Sequence, residues 1–172
     1  MDTYYTIDEK YLQAVEEYQY GESPKSLKLL NEIIAADPLY ARAHFQLGLI
    51  YYYELKDYQQ AGYCFKACNE LEPAFPDVYE HYMHLLAFLN MDKSLNTIKE
   101  KALLTPGVDY ATIWNILGQF AEKNRNLMLA RSCYEEAYAL VIVTKEMDDI
   151  EESLKRIQIK QERSAIYRYS IL

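Results

Sequence analysis

Two stretches of the sequence, ARAHFQLGLIYY at residues 41–52 and ATIWNILGQFAE at residues 111–122, each have a Leu-Gly pair at their seventh and eighth positions. The pairs, Leu47-Gly48 and Leu117-Gly118, are 70 positions apart, and Tyr82-Met83 lies midway between them. This even spacing indicates an internal repeat of about 35 residues, a period that is typical of stacked repeat architectures.

A second set of positions repeats with nearly the same period. In four segments a small residue precedes a large apolar residue by four positions, and the small residues are 35, 33 and 36 positions apart. Proline follows three of these segments, again at intervals of 35 and 33 positions, at Pro38, Pro73 and Pro106. The repeat is therefore about 34 residues long. The four pairs are Ser26/Leu30, Ala61/Phe65, Ser94/Ile98 and Ala130/Tyr134.

The period, together with W-x-x-L-G at Trp114–Gly118 and L-G-x-x-Y at Leu47–Tyr51, resembles the tetratricopeptide repeat. The second and fourth repeats match the family pattern well. The first and third depart from it, since Lys101 stands where the family has a small residue and Tyr82-Met83 replaces Leu-Gly. The resemblance implies an all-α fold, a right-handed α-solenoid of about four helix-turn-helix repeats in a single domain over 1–172. The repeats are expected at about 7–38, 39–73, 74–106 and 107–140.

Local sequence signals predict helices in the same places. Thr6 to Glu9 reads TIDE, a capping box, and Gly21 ends the helix that it opens. Ser23 is predicted to cap a second helix, which has Pro24 at its first position. The corresponding caps of the later second helices are predicted to be Asp57, Asp92 and Asn126.

The connection ELKD, Glu54 to Asp57, is one residue longer than is usual in the family. We expect the extra residue to shift the loop and to leave the helices unchanged, because surface loops absorb insertions most easily.

The C-terminal segment has a different pattern from the repeats. From Met147 the apolar residues Ile150, Leu154 and Ile157 form a narrow stripe, with acidic residues before it and basic residues after it. This charge order complements a helix dipole, so we predict a capping helix over about 146–166 that covers the last repeat. A coiled-coil seam is the alternative, but such a seam needs three or four sustained heptads and the stripe is shorter. The pattern does not account for residues 165–172.

Composition excludes several classes of function. The net charge of −8 opposes a nucleic-acid role, because phosphate backbones need a cationic surface. No segment approaches the roughly 20 apolar residues of a membrane span, and the acidic start MDTYYTIDEK does not resemble a signal peptide. The three cysteines read as reduced thiols. We therefore expect a cytoplasmic protein that contacts neither nucleic acid nor a membrane.

No residue pattern supports catalysis or a cofactor. His81 and His84 are three positions apart on a helix, but no further ligand at a suitable spacing completes a metal site. Cys64, Cys68 and Cys133 fall in small-residue positions of the repeat, where a buried cysteine behaves as a small hydrophobic residue. We predict that the protein is not an enzyme and binds no cofactor or metal.

In the family that the sequence resembles, the first helices of the repeats line a concave groove in which most members bind peptides or protein segments. The groove implied here is aromatic in the middle and partly acidic. Phe45 and Glu80 stand where a carboxylate clamp would need basic residues, so that variant is disfavoured. The implied groove residues are Arg42, Phe45, Leu49, Tyr52, Tyr53, Glu80, His84, Phe88, Asn115, Gln119 and Glu122. The first repeat would add Glu9, Leu12, Glu16 and Tyr20.

The resemblance implies an adaptor that holds a partner protein, with apolar and basic residues in the bound segment. Two alternatives stay open, a dedicated chaperone for a secreted or assembling protein and a structural self-associating subunit. A monomer or a weak homodimer is expected.

Three consecutive tyrosines, Tyr51 to Tyr53, follow the first Leu-Gly pair. Adjacent helical residues are about 100° apart, so the three side chains cannot share one face. The repeat pattern places Tyr51 in the core, and it places Tyr52 and Tyr53 toward the groove with Phe45 and Leu49 as neighbours.

Overall fold

The computed structural model of the protein describes the backbone of residues 6–169 and the side chains of residues 6–163. This part of the chain is all-α and contains no strand, as the sequence predicts. The helices are α1 (Ile7–Tyr20), α2 (Ser23–Ala36), α3 (Ala41–Leu49), α4 (Tyr58–Leu71), α5 (Asp77–Phe88), α6 (Asp92–Ala102), α7 (Tyr110–Lys123), α8 (Leu127–Leu140) and α9 (Thr144–Tyr169). Successive pairs from α1/α2 to α7/α8 form four helix-turn-helix units.

The chain divides into two compact units, with the boundary between Leu85 and Leu86 inside α5. Unit 1 contains the first two helix pairs and most of α5, whereas unit 2 contains the fourth pair and α9. The expectation of a single domain over 1–172 stays a prediction.

The Leu-Gly pairs are explained by the packing of the two helices within a repeat. A Cβ atom on Gly48 would lie 2.5 Å from the Phe65 ring, and one on Gly118 would lie 2.6 Å from the Tyr134 ring. Both rings are fully buried. Since real Cβ contacts are essentially never this short, only glycine lets the aromatic ring of the second helix reach the first helix. The repeated pairing of glycine with a buried ring confirms the sequence pattern.

The small residue four positions before the large apolar residue also allows close packing in the first, second and fourth repeats, whereas Ser94 of the third repeat is half-buried. Ser26, Ala61 and Ala130 have no exposed surface. Ser26 Oγ donates a hydrogen bond of 2.7 Å to the Ala14 carbonyl, which joins α2 to α1 through the buried hydroxyl. Small side chains at these positions allow the two helices of a repeat to approach closely.

Four of the predicted helix-start signals can be tested by their hydrogen bonds. Thr6 and Glu9 form the capping box, Asp57 accepts from the Gln60 amide, and Asn126 accepts from the Leu129 amide. Asp92 was wrongly predicted as a cap, because Met91 is the N-cap of α6 and Asp92 is its first residue.

The start of α2 also differs from the prediction. Ser23 is the first helical residue and Glu22 is the N-cap, with no side-chain hydrogen bond to the helix. Pro24 lies in the first turn as expected, where its missing N–H costs no hydrogen bond.

In the second, third and fourth repeats the turn between the paired helices contains a left-handed residue, Lys56, Asn90 or Arg125, with φ of 55°, 58° and 60°. In the third and fourth repeats the next amide bonds the carbonyl five residues back, Met91 to Leu86 and Asn126 to Ala121, both at 2.9 Å. This arrangement closes the helix in the manner of a Schellman motif.

The second repeat closes differently, because its extra residue enters the helix. Residues Ile50–Leu55 form a π-helix, which we call the π turn, and the Asp57 amide bonds the Tyr51 carbonyl six residues back at 2.9 Å. The expectation that the insertion would change only the loop was therefore wrong. A π turn has one more residue per hydrogen-bonded ring than an α-helix, so it absorbs the insertion while keeping the backbone groups paired.

The C-terminal helix α9 begins two residues earlier than predicted. Its apolar stripe packs inside unit 2, where Ile150 is 3% exposed and Ile157 has no exposed surface. Both residues join a core cluster with Tyr134 and Ala137 of α8. The stripe is thus covered by the fourth repeat, which confirms the capping function and opposes the coiled-coil alternative. The side chains of residues 165–172 lie outside the described residues.

None of the helices in the described part of the chain has the length and apolarity that a membrane span requires.

Candidate functional site

The π turn presents Tyr53 to a histidine of the next helix pair in unit 1. Tyr53 Oη and His81 Nδ1 are 2.8 Å apart and share a hydrogen bond. The two rings pack edge to face, with their centroids 5.6 Å apart and an interplanar angle of 87°. These contacts fix the tyrosine ring, although 42% of the residue is exposed. An exposed large aromatic side chain that is held in one orientation is suited to contact a partner.

Phe45 forms the base beneath this ring pair and differs from its prediction as a groove residue. Only 7% of Phe45 is exposed. Its ring lies 5.1 Å from Phe75, 5.7 Å from His81 and 6.3 Å from Phe65, between centroids. The side chain is surrounded by aromatic rings from α4, α5 and the loop before α5, so it supports the surface from below and offers no face to a partner.

The other two tyrosines of the run also have separate environments. Tyr51 is half-buried and packs against the core of unit 1, in keeping with its predicted position. Tyr52 is half-buried between neighbouring rings, 4.6 Å from Tyr53 and 6.0 Å from Tyr58. Tyr53 is therefore the member of the run that has the most exposed surface.

The neighbouring helix α5 contributes part of the charge around Tyr53. Burial lowers the pKa of both His81 and His84, which favours the neutral form of each ring. Burial is also the main cause that raises the pKa of Tyr53 to about 12, and the Glu80 carboxylate adds to the effect. Glu80 itself is exposed, and within the described side chains it has no ion-pair partner. We call Tyr53, Glu80, His81 and His84 the Tyr53 surface.

The remaining predicted residues of unit 1 lie beside this surface or are engaged elsewhere. Leu49 is half-buried on α3 and precedes Tyr53 by four residues. Arg42 lies 5.6 Å above the Phe75 ring and forms an ion pair with Glu72 at 3.6 Å. Since its charge is already balanced by Glu72, Arg42 adds little positive potential to the Tyr53 surface.

The predicted residues of unit 2 are not gathered into a comparable exposed surface. Phe88 is 51% exposed, and the Lys123 ammonium lies 5.8 Å above its ring. Gln119 is exposed on α7. Asn115 is half-buried and lines a small cavity of about 70 Å³ between α7 and the beginning of α9. The side of α7 that carries Asn115 is therefore partly covered by α9.

Glu122 is held by the C-terminal helix and differs most from its predicted binding role. Its carboxylate accepts two hydrogen bonds of 2.8 Å from Arg156, one of 2.6 Å from Lys160 and one of 2.9 Å from the Tyr134 hydroxyl. These donors, with Arg156 the largest contributor, lower the pKa of Glu122 to about 2. The side chain is only 11% exposed. Glu122 thus fixes α9 to the fourth repeat and is closed to a partner segment.

Neither a metal-binding cluster nor an exposed thiol is found among the described residues. The described residues contain no group of three or more His, Cys, Asp or Glu side chains arranged to hold a metal ion. Cys64, Cys68 and Cys133 are buried, and burial raises the pKa of each thiol, which disfavours the reactive thiolate.

The contact between His81 and Tyr53 was not predicted from the repeat pattern. The pattern assigned His84, four positions before Phe88, to the groove, and His81 was considered only as part of an incomplete metal pair. Tyr53, which makes this contact, lies within the π turn. A repeat-based alignment contains no signal for this contact, since the insertion has no counterpart in the other repeats.

Neither a protein-family model nor a curated protein matches the chain. Several solved structures are similar to it at low sequence identity. The MamA RS-1 ArsTM double mutant has a TM-score of 0.75 and 16% identity, with 95% of this chain and 90% of that chain covered. PilW, described as a widely conserved type IV pilus biogenesis factor, has a TM-score of 0.69 and 16% identity, with 88% and 77% covered.

MamA 41-end from Desulfovibrio magneticus RS-1 gives a similar result, with a TM-score of 0.67, 16% identity, and 92% and 96% of the two chains covered. These are tetratricopeptide-repeat proteins, and the match extends over nearly the whole of the present chain. The chain has the tetratricopeptide-repeat fold. At 16% identity this similarity establishes the fold only, because one fold can carry many unrelated functions.

Proposed function

We propose that this protein is a non-catalytic adaptor that binds a peptide or protein segment on the Tyr53 surface of unit 1. The observation that carries the proposal is the Tyr53 ring, which is substantially exposed and yet fixed by its hydrogen bond to His81. A preorganised aromatic side chain contributes to binding without a large entropy cost, because little rotamer freedom remains to be lost. Aromatic residues of this kind are frequent hot spots at interfaces.

The charge of the surrounding residues supports a bound segment with both apolar and basic residues. Glu80 is exposed near Tyr53, and burial lowers the pKa of both histidines, which favours their neutral form. On α1 of the same unit, Glu9 and Glu16 are exposed. A partner with Lys or Arg residues would meet complementary charge, which favours specificity and association rate. Leu12 and Tyr20 of α1, at 66% and 85% exposed, offer additional apolar area.

The proposal can be tested with a random 12-residue peptide library displayed on phage and selected against the whole chain. A selected peptide, synthesised with a fluorophore, is then titrated with wild type and Tyr53→Ala by fluorescence anisotropy. We expect Tyr53→Ala to weaken binding about tenfold or more, as is usual for an aromatic hot spot.

The matched control is Tyr63→Ala, which removes a tyrosine that is 66% exposed on the second helix of the same repeat. This control should bind as tightly as wild type. Circular dichroism spectra and urea midpoints of both variants establish that the fold is unchanged. If Tyr53→Ala binds as well as Tyr63→Ala, or if no peptide is selected, the proposed function is wrong.

A dedicated chaperone for an assembling protein is a second candidate, and one comparison favours it. PilW, which has a similar fold, is described as a type IV pilus biogenesis factor. A chaperone would use the same surface to keep its partner soluble. Co-expression with a partner identified by the peptide motif distinguishes the two candidates, since only a chaperone should increase the soluble yield of that partner and only when Tyr53 is intact.

A further inference from the structure

The insertion in the second repeat changes which neighbour its last helical side chains can reach. The hydrogen bond from Asp57 to Tyr51 corresponds to the bond from Asn126 to Ala121 in the fourth repeat, so the two carbonyls are equivalent positions. Four residues separate the Tyr51 carbonyl from the left-handed Lys56, whereas three separate Ala121 from the left-handed Arg125. The extra residue is therefore one of residues 52–55. Counting forward from the carbonyls, Tyr53 occupies the position that Lys123 has in the fourth repeat.

The two equivalent residues, Lys123 and Tyr53, form hydrogen bonds with different neighbours: Lys123 with the preceding repeat and Tyr53 with the following one. Lys123 Nζ donates to the carbonyls of Ala87 and Phe88, at 3.2 Å and 2.9 Å, which end the first helix of the preceding repeat. Tyr53 forms its hydrogen bond forward, to His81 in the first helix of the following repeat. The fourth repeat closes with an ordinary turn and the second with the π turn, so the difference in contacts accompanies a difference in the turn.

We propose that the π turn builds a site for one Arg or Lys side chain of the bound segment, with the exposed face of the Tyr53 ring and the carboxylate of Glu80 as its two recognition groups. This inference rests on the proposed function and specifies its chemistry. A cation placed over a tyrosine ring is attracted by the negative face of the ring. A nearby carboxylate adds a charge-assisted hydrogen bond.

The surroundings of the site favour a cation over other ligands. Glu54, on the π turn itself, is exposed. Burial is the main cause that raises the pKa of Tyr18 on α1, and the Glu54 carboxylate adds to it. The cation of α3, Arg42, is bound to Glu72 and stacked on Phe75, so it does not neutralise Glu80. Thus exposed carboxylates from two elements, Glu54 of the π turn and Glu80 of α5, lie near the fixed tyrosine.

The experiment uses the selected peptide and a neutral isostere of each basic residue in it. Each arginine is replaced singly by citrulline and each lysine by norleucine, and the peptides are titrated with wild type, Glu80→Gln and a variant that lacks Leu55. Deletion of Leu55, which is 54% exposed, restores the residue count of the other repeats and retains both Glu54 and Tyr53. Leu55→Ala is the length-preserving control.

We expect one neutral replacement to weaken binding to wild type about fivefold or more, consistent with the combined worth of a cation–π contact and an ion pair. The same replacement should have less than a twofold effect in Glu80→Gln and in the deletion variant. Leu55→Ala should behave as wild type. Should the deletion variant fail to fold, Glu80→Gln, which changes an exposed side chain, still decides the result through its coupling to the neutral peptide.

The outcomes separate this inference from the proposed function. If no neutral replacement weakens binding, or if the effect is the same in Glu80→Gln as in wild type, the cation site is wrong, while a Tyr53→Ala defect would keep the proposed function. If the deletion variant folds and still discriminates the neutral peptide, the π turn is not the element that builds the site. If Tyr53→Ala binds normally, both proposals fail.

Discussion

The second and fourth repeats have the same internal packing but use their first helices differently. In both, a glycine of the first helix lies against a buried aromatic ring of the second, Gly48 against Phe65 and Gly118 against Tyr134. Beyond this pair the two repeats diverge. The second repeat has the π turn and leaves Tyr53 42% exposed, whereas the fourth repeat binds α9 through Glu122.

The comparison shows that two repeats can share the same core packing and still differ in the residues on their surfaces. The glycine–aromatic contact needs only two positions, which leaves the remaining residues of the first helix free to change. In the fourth repeat these residues close the end of the solenoid core, since its last apolar face must be covered. In the second repeat Tyr53 stays substantially exposed, and we propose this surface as the one that meets a partner.

The largest loss of stability is expected when alanine replaces the glycine that lies against the buried ring in each repeat. Gly118→Ala places Cβ within 2.6 Å of the Tyr134 ring, and Gly48→Ala places it within 2.5 Å of the Phe65 ring. Each substitution should lower the free energy of unfolding by about 2–3 kcal/mol, because the buried ring cannot move without opening the helix pair. Urea denaturation measures the loss.

Gly62→Ala is the control for this prediction. A Cβ on Gly62 would lie 3.7 Å from Leu85, an ordinary contact. The substitution should therefore leave stability unchanged or raise it by up to about 1 kcal/mol, because alanine favours the helix. Equal losses at Gly62 and Gly118 would contradict the packing argument.

A smaller effect is expected for Glu122→Gln, about 2 kcal/mol at pH 7, after allowance for the partial exposure of Arg156 and Lys160. The pKa of Glu122 is lowered to about 2, so its stabilisation is present above the unfolded value near 4.5 and is lost as the pH falls toward 2. The gap between wild type and variant in urea midpoints should therefore close between about pH 5 and pH 2.

Glu135→Gln is the matched control for the carboxylate. Glu135 pairs with Arg131 at 2.8 Å, but both side chains are more than half exposed. Its loss should cost about 0.5 kcal/mol or less. A pH-independent gap for Glu122→Gln would show that the carboxylate charge does not hold α9.

The smallest losses of stability are expected when one tyrosine hydroxyl is removed from each of the two repeats. Tyr134→Phe removes a buried hydroxyl that donates to Glu122, and we expect a loss of about 1–2 kcal/mol. Tyr53→Phe removes the exposed hydroxyl that contacts His81, and the loss should be below about 1 kcal/mol. Thermal unfolding of the two variants compares them directly, and a larger loss for Tyr53→Phe would reverse the assignment of closed and open surfaces.

Much of the fold could be predicted from the sequence because the repeat packing is local. The glycine and its ring partner are 17 residues apart in the second repeat and 16 in the fourth, so their periodic spacing reports the contact directly. The capping helix was predictable for a similar reason, since its apolar stripe and charge order are contained in one segment.

The site was less predictable because it depends on an insertion. An extra residue can enter a loop or widen a helical turn, and both solutions leave the backbone hydrogen bonds satisfied. The sequence does not distinguish them. Phe45 is enclosed by rings from later elements, and Tyr53 of the π turn contacts His81 of a later helix, so both environments depend on residues far along the chain. Glu122 was predicted as a groove residue, but Arg156 and Lys160, which donate to its carboxylate, lie 34 and 38 residues further along the chain.

The most direct test of the contrast between the two repeats is a two-dimensional NMR titration of the isotope-labelled chain with the selected peptide. We predict that the shifts concentrate on Leu49, Tyr53 and the first turns of α5 around Glu80, while the resonances of Glu122, Arg156 and Lys160 stay in place. Shifts centred on α7 and α9, with loss of the Arg156 contact to Glu122, would instead mean that the fourth repeat is the binding surface and that α9 is displaced by the partner.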